Sequence, residues 1–431
     1  VRILVLHSRY PGTAPSGENL VVDEEVARLA AAGHDVTLLQ RHNADISGWG
    51  PLHKATLPLG VVWNEASRRS LARALDRERP DVVHVHNVFP LLSPAVVVAC
   101  RDAGVPVVRT VHNYRLACAA GTYFRDGRVC HDCADGRVGP ALRHGCYRGS
   151  RLATAPVAAS AVLHRRTWRD LVSAHVFISA AQRDLHAGLR LPPERCFVKH
   201  NVVAVPPADL APAGPREHAV AVVSRLDAAK GAPLVMAAWD AFTARRPASA
   251  LRLVVVGSGD LAAEVAAWAA RSRGVDVRGL LPRAEASRVL AGVRAALVPS
   301  AWEETFGLVA VEAMAVGTAA VAPAHGAFPE IVTDGVDGAL FPPGDVDALV
   351  AVLEDVDDHP SRWEALGEAA RATHRARFTP DADAARLVEI YRFAAEHPAV
   401  AGTGRRGDVR GTPPPGAHAA ARDDRAVRPL S

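Results

Sequence analysis

Short runs of β-branched residues alternate with alanine-rich, amphipathic stretches along most of the 431 residues. No other feature constrains the fold as tightly. A chain that returns through a helix before each new strand builds parallel sheets with helices packed on both faces. In the first half the strands read "RILVLHS", "DVTLL", "DVVHVH", "VPVVRTVH", "HVFIS" and "RCFVKHNVV". A proline-rich break, "VPPADLAPAGP", interrupts the pattern at 205–215. It restarts with "AVAVVSRL", "LRLVVVGSG", "VDVRGLL", "AALVPS", "TAAVAPA" and "GALFPPG". The reading is an α/β protein with an N-terminal domain over 1–204, a linker over 205–215 and a C-terminal domain over 216–380. A final helix over 381–397 follows, and the Gly-, Pro- and charge-rich tail at 398–431 is predicted to be disordered.

Apolar residues make up 49% and charged residues 22% of the chain, an ordinary balance for a globular protein. No run approaches the roughly 18 apolar residues of a membrane span. The opening apolar block, "ILVL", is too short for a secretory signal, so a cytoplasmic protein is expected. Charge is uneven: residues 1–210 carry 26 basic against 18 acidic side chains, and the remainder 24 against 28. A basic front half suits peripheral contact with an anionic membrane, such as the inner face of the cell membrane, or an anionic substrate. It is equally compatible with a plain solvated surface. Nucleic acid is not an expected partner. Only Lys54, Lys199 and Lys230 are lysines among 50 basic residues, so a lysine here is not the default cation.

Ligands of parallel α/β sheets sit beyond the carboxyl ends of the strands, so the residues after each strand carry the chemistry. After "AVAVVS" come Arg225, Lys230 and Gly231, two cations able to grip a diphosphate from two directions. After "LRLVVV" come Gly257 and Gly259 in a G-x-G-x-x-A pattern. That pattern raises a dinucleotide-binding reading, although Asp276 lies at the start of the next strand rather than its end. The glycines are read instead as a tight turn allowing close backbone approach. After "AALVPS", Glu304 falls in a loop, Gly307 opens a helix and Glu312 lies on its second turn. The free N–H groups of Gly307, Leu308 and Val309 would make an anion site. The flanking carboxylates, as acceptors, suit sugar hydroxyls. The "DVD" and "DAD" triplets at 345–347, 355–357 and 381–383 read as helix-border residues, not metal ligands.

The succession "SRLDAAKG", "GSG", "ETFGLVAVE" and "GAFPEIV", with "SGENLVVDEEVARLAAAGHDVTLL" and "TVHN" in the first half, resembles the retaining glycosyltransferases of family 4. The resemblance implies the GT-B fold: two facing Rossmann-like domains with parallel sheets and a C-terminal helix crossing back to the N-terminal domain. It implies Arg225 and Lys230 on a nucleotide diphosphate, Glu312 on the ribose hydroxyls and Glu304 on the transferred sugar. Gly307, Leu308 and Val309 would meet the phosphates, His112 the sugar, and Gly17 the diphosphate and reaction centre. Ser16 stands where such enzymes often carry a second glycine. The implied reaction needs no catalytic cofactor. It transfers a sugar from a nucleoside diphosphate, UDP being the commonest, to the hydroxyl of a glycan, lipid-linked saccharide or secondary metabolite. No covalent glycosyl intermediate is expected, and the acceptor would attack the face that the diphosphate leaves.

Cys118, Cys130, Cys133 and Cys146 follow C-x11-C-x2-C-x12-C within an insertion at 115–150. One knuckle and two outlying thiols can close a structural zinc site; an irregular loop with free thiols is the other reading. A subset of family 4 enzymes resembles this chain in carrying a cysteine-bearing insertion here. Cys100 and Cys196 read as core. The stretch "RLATAPVAASAVLHRRTWRDLV", with Arg165, Arg166, Trp168 and Arg169, reads either as a basic amphipathic helix at a membrane surface or as a domain helix with a charged end. Two rival functions are a nicotinamide-dependent dehydrogenase using Gly257 and Gly259, and a catalytically silent nucleotide-sugar-binding module.

Overall fold

The computed structural model describes residues 1–11, 16–205, 216–380, 383–399 and 428–430. Strands β1 (Arg2–Arg9), β2 (Asp35–His42), β3 (Val82–Val85) and β4 (Val107–Val111) begin the front lobe. A short antiparallel hairpin, β5 (Phe124–Arg125) with β6 (Arg128–Val129), lies in the cysteine insertion, and β7 (Ala174–Phe177) and β8 (Cys196–Val198) complete the lobe. The rear lobe holds β9 (Glu217–Val223), β10 (Arg252–Val256), β11 (Val275–Gly279), β12 (Val293–Leu297), β13 (Ala319–Pro323) and β14 (Gly338–Phe341). A last strand, β15 (Arg428–Leu430), pairs parallel with β2. The front sheet runs β15-β2-β1-β3-β4-β7-β8 and the rear sheet β11-β10-β9-β12-β13-β14, both wholly parallel.

The architecture is therefore two Rossmann-like sheets, as the alternation predicts. The tail prediction needs one correction: β15 adds an ordered strand to the front sheet edge, where backbone pairing outweighs the weak local propensity of "RPL". The rest of the tail, most of the linker (206–215) and the first two residues of "DAD" lie outside the described residues.

Each sheet is buried on both faces. Ile3 and Val5 of β1 face one cluster while Leu4 and Leu6 face the other, the period-two alternation of a pleated strand. Helices start where short polar side chains cap them: Ser16 accepts from Asn19 N, Asn64 from Ser67 N, Ser150 from Ala153 N and Asp345 from Ala348 N. Asp345 confirms the capping reading of the first "DVD".

The helix Asp383–Glu396 crosses from the rear lobe to the front. Its Leu387, Val388, Ile390, Tyr391 and Ala394 join Ile3, Val5, Val22, Leu29 and Val176 in one cluster. Fully burying each large side chain contributes about 1.5–3 kcal/mol. Polar anchors add direction. Lys199 is paired with Asp383, Arg28 Nη2 lies 3.1 Å from the same carboxylate, and the Tyr391 hydroxyl lies 2.8 Å from His84 Nδ1.

In each sheet the strand order reverses at one point, between β1 and β3 in front and between β9 and β12 behind. Such crevices at the carboxyl ends receive ligands. Gly17 follows β1, Arg225 follows β9 and Glu304 follows β12.

Candidate active site

The turn after β9 is built around Asp227. One carboxylate oxygen accepts from Arg225 Nε at 2.9 Å and the other from the backbone N–H of Lys230 at 2.8 Å. The same turn is tied to the glycine turn after β10, since Leu226 N donates to Ser258 O at 3.0 Å and Leu261 N to Leu226 O at 2.9 Å. Gly257 explains that closeness. Its φ is 143°, and a Cβ there would lie 1.8 Å from Ser224 O. The two glycines thus let the turns after β9 and β10 pack backbone to backbone. Asp276 takes Arg278 Nε at 2.8 Å and pairs in register with Val254 near the start of β11.

Across the turn, Lys230 Nζ is ion-paired with Glu304. Glu304 is only 5% exposed, and Ser300 Oγ donates to it at 2.7 Å. Burial alone would raise its carboxyl. Lys230 and Ser300 outweigh that cost and hold it below the usual carboxylate range. Lys230 Nζ also stands 5.2 Å from the centroid of the Trp302 ring. Arg225, paired with Asp227, remains 55% exposed at its side chain, beside the ion pair of Lys230 and the buried Glu304.

Gly307 is the N-cap of the helix Leu308–Ala315, one residue before it, with φ 93°. A Cβ there would meet Phe328 Cε1 at 2.6 Å, so both backbone and packing require glycine. The N–H groups of Gly307, Leu308 and Val309 have no backbone acceptor among the described residues. Glu312 is held by Arg283, Nη2 to Oε1 at 3.1 Å, and burial raises its carboxyl against that pairing.

The front lobe closes the cleft. Gly17 is the first residue of the helix Gly17–Ala31, and a methyl added to it would come within 2.9 Å of Leu308 Cδ1. Ser16, in the place of a second glycine, is the cap of that helix. Thr305 Oγ1 donates to the carbonyl of His112 at 3.1 Å, and His112 Nε2 lies 2.9 Å from His86 Nδ1. Burial, then the neighbouring His86 and His7, drives the pKa of the His112 ring well below the ordinary histidine range. The lobes are clamped by Glu330, whose carboxylate accepts from Ala180 N at 2.8 Å and Ala181 N at 2.7 Å and lies 3.1 Å from His200 Nε2.

Lys230 and Glu304, His112 and Thr305, and Gly17 and Leu308 are thus brought together along one cleft. Sequence reasoning missed Arg283, Trp302, Glu25 and Arg109. The "HVH" alternation could have flagged that His84 and His86 share a strand face, and Glu25 lies 3.1 and 3.2 Å from their rings. This trio is the one group of three metal-type side chains with mutually close ligand atoms among the described residues. Lys199 Nζ lies 3.7 Å from Glu25 and Tyr391 occupies His84, so the cluster is charge-balanced as polar core.

Two further expectations change. "RLATAPVAASAVLHRRTWRDLV" breaks at His164 into Arg151–Leu163 and Arg165–Leu171, with Trp168 buried. Cys100 is fully buried, but Cys196 is only half-buried, its thiol 3.3 Å from Pro192 O. The other four cysteines are unpaired and lie near enough to affect one another: burial first, then its neighbours, pushes the Cys133 thiol up to about 11. No three of their sulfurs lie within 4.8 Å of one another.

Residues 16–202 match the family described as Glycosyl transferase 4-like domain, and residues 212–373 match Glycosyl transferases group 1. D-inositol 3-phosphate glycosyltransferase of Thermobispora bispora is 29% identical over 90% of this chain and 92% of its own. Glycogen synthase of Mycobacterium tuberculosis is 27% identical over 91% and 95%. Among solved structures, Anabaena HepE in complex with UDP superposes with TM-score 0.65 at 18% identity, over 90% of this chain and 99% of that one. Sucrose-phosphate synthase of Thermosynechococcus elongatus gives 0.65 at 19%, over 91% and 98%. Two facing Rossmann-like lobes, the front one matching the Glycosyl transferase 4-like domain and the rear one Glycosyl transferases group 1, give the chain the GT-B fold of glycosyltransferases.

Proposed function

We propose that this glycosyltransferase is retaining and takes its sugar from a nucleoside diphosphate, with UDP as the nucleotide. The acceptor is the hydroxyl of a glycan, lipid-linked saccharide or secondary metabolite. The observation that carries the donor reading is the Lys230–Glu304 pair set beside the open helix start at Gly307. UDP is favoured because four of the similar structures contain UDP or UDP-glucose.

In this reading Arg225 and Lys230 take the diphosphate, and the N–H groups of Gly307, Leu308 and Val309 meet its oxygens. Glu312 receives the ribose hydroxyls, Glu304 the hydroxyls of the sugar, and His112 and Gly17 border the reaction centre. Charge develops on the diphosphate as the glycosidic bond breaks. Fixed donors aimed there lower the barrier, each by roughly 3 kcal/mol. Lys230 is restrained by Glu304 and needs little reorganisation to reach the leaving group. The acceptor hydroxyl attacks from the face the diphosphate leaves, its proton passing to a departing phosphate oxygen, with no covalent enzyme intermediate. Incubating the protein with a panel of nucleotide sugars tests the reading. Release of UDP from one of them supports it; saturable NAD binding without UDP binding would reverse it.

We also propose that the front lobe rests against an anionic membrane. The helices Pro51–Val62 and Arg151–Leu163 pack together and expose Leu52 and Leu152, each 88% accessible, beside Lys54 and Arg151. Among the described residues no helix is long and apolar enough to cross a membrane. Co-sedimentation with anionic but not neutral vesicles is the expected result; equal recovery with both would remove the idea.

A further inference from the structure

A cavity of about 60 Å³ opens beside His112 in the front lobe. By the same measure a water needs about 10–15 Å³, so the space suits one small polyatomic group. Arg109 and Arg115 contribute to its wall, and no carboxylate does.

Arg109 is the anomaly. It lies in β4 between Val107 and Val111, on the face that packs into the front core, where an aliphatic side chain would satisfy every packing demand. It is 9% exposed, its guanidinium lies over the Trp168 ring at 3.6 Å, and neither Nε nor Nη1 has a hydrogen-bond partner. Burial pulls its pKa down to about 9, opposed only by the more distant Glu18. A buried cation without a hydrogen-bonded counter-charge is costly. A residue that breaks the local rule without a packing reason points to function. Arg115 is different: Nη1 already donates to Ala119 O at 2.9 Å and its guanidinium stacks on Phe89. It shapes the wall and adds positive field.

We propose that Arg109 is an oxyanion subsite of the acceptor pocket. The hydroxyl that attacks beside His112 then belongs to a molecule bearing a carboxylate or phosphate, and that group takes the unused guanidinium donors. This rests on the glycosyltransferase reading, which sets the acceptor in the front lobe. A guanidinium fork matches either oxyanion, and charge-assisted bonds in a buried pocket give the contact its strength.

Because the acceptor is unidentified, the probes are inorganic phosphate and acetate, titrated calorimetrically into full-length protein already saturated with UDP. The unmodified protein should bind at least one of them saturably. Phosphate preference would indicate a phosphorylated acceptor, acetate preference a uronic-acid-like one, and either supports the subsite. Arg109→Met, which keeps bulk over Trp168, should weaken that binding by about tenfold or more. Arg109→Lys should weaken it less, and phosphate should cease to raise the thermal midpoint of the Met variant. Absence of saturable binding to the unmodified protein, or unchanged binding by Arg109→Met, would overturn the subsite. UDP binding to the unmodified protein is measured first. Its failure would instead defeat the glycosyltransferase reading itself.

Discussion

Nη1 of Arg283, in the rear lobe, lies 2.6 Å from Oε1 of Glu24 in the front lobe. The same guanidinium holds Glu312, so one arginine joins the proposed ribose ligand to the opposite wall of the cleft. Both partners are partly exposed, and such a pair contributes at most about 1 kcal/mol. It biases closure rather than locking it. Glu24→Ala should raise donor KM several-fold with little change in kcat. Arg283→Ala should do more, because it also leaves Glu312 without its partner. Steady-state donor hydrolysis checks both.

Lys230→Ala should lower kcat by about 10² to 10³, the range for removal of one preorganised charge-stabilising donor. It also strands the buried Glu304 carboxylate and should destabilise the fold. Adding Glu304→Gln should restore much of that stability but not turnover. Urea melts beside turnover measurements separate the two effects, and full recovery of turnover in the double variant would contradict the diphosphate role.

Glu18 follows Gly17, and burial raises its carboxyl from 4.5 to about 7, against Arg115 and Asn113. Unfolded, it gives up its proton near 4.5; folded, near 7. Its contribution to stability is therefore complete below 4.5, declines as pH rises to 7, and is constant above. The loss is about 3 kcal/mol. Glu18→Gln should raise the thermal midpoint at pH 8 relative to the unmodified protein and change it little at pH 4.5. An equal shift at both values would show that the carboxyl is not burial-perturbed.

His86 and His112 share a 2.9 Å contact, and burial holds His86 down to about 4. Both rings are neutral at pH 7, so one donates and the other accepts. His86→Ala should lower kcat by about tenfold by releasing His112, and neither ring should titrate between pH 6 and 8. A turnover profile with a histidine-like inflection in that window that vanishes in His86→Ala would contradict this.

We expect the four cysteines of the insertion to take up one structural zinc, which would draw their sulfurs together. Metal analysis of purified protein should find about one equivalent, lost when Cys130 and Cys133 are both changed to Ser. Less than about a tenth of an equivalent would dismiss the site.

The alternation of strand and helix was legible because parallel strands must be apolar on both faces, and "LRLVVV" or "DVVHVH" cannot be mistaken for solvated chain. Arg225, Lys230 and Glu304 stood out as candidates because loops after strands have no packing duty that would require them, and Glu312 because it lies in the helix that follows such a loop. Arg283 was not: a half-exposed arginine at a helix start reads the same whether it faces solvent or another lobe. Arg109 was hidden for the opposite reason, since an arginine within "VPVVRTVH" passes for an edge position until β4 is seen in the sheet interior. The strand at Arg428–Leu430 had no local signal at all; it exists only through pairing with β2.

The helix Asp383–Glu396 gives the chain a temporal order. Leu387, Ile390 and Tyr391 seal a face of the front sheet, yet they are made after the whole rear lobe. A nascent chain that has emerged only as far as residue 205 exposes Ile3, Val5 and Val176 and leaves Lys199 without Asp383. The first lobe to leave the ribosome is thus the last to be finished, and cutting the chain ahead of residue 383 would unmake its beginning.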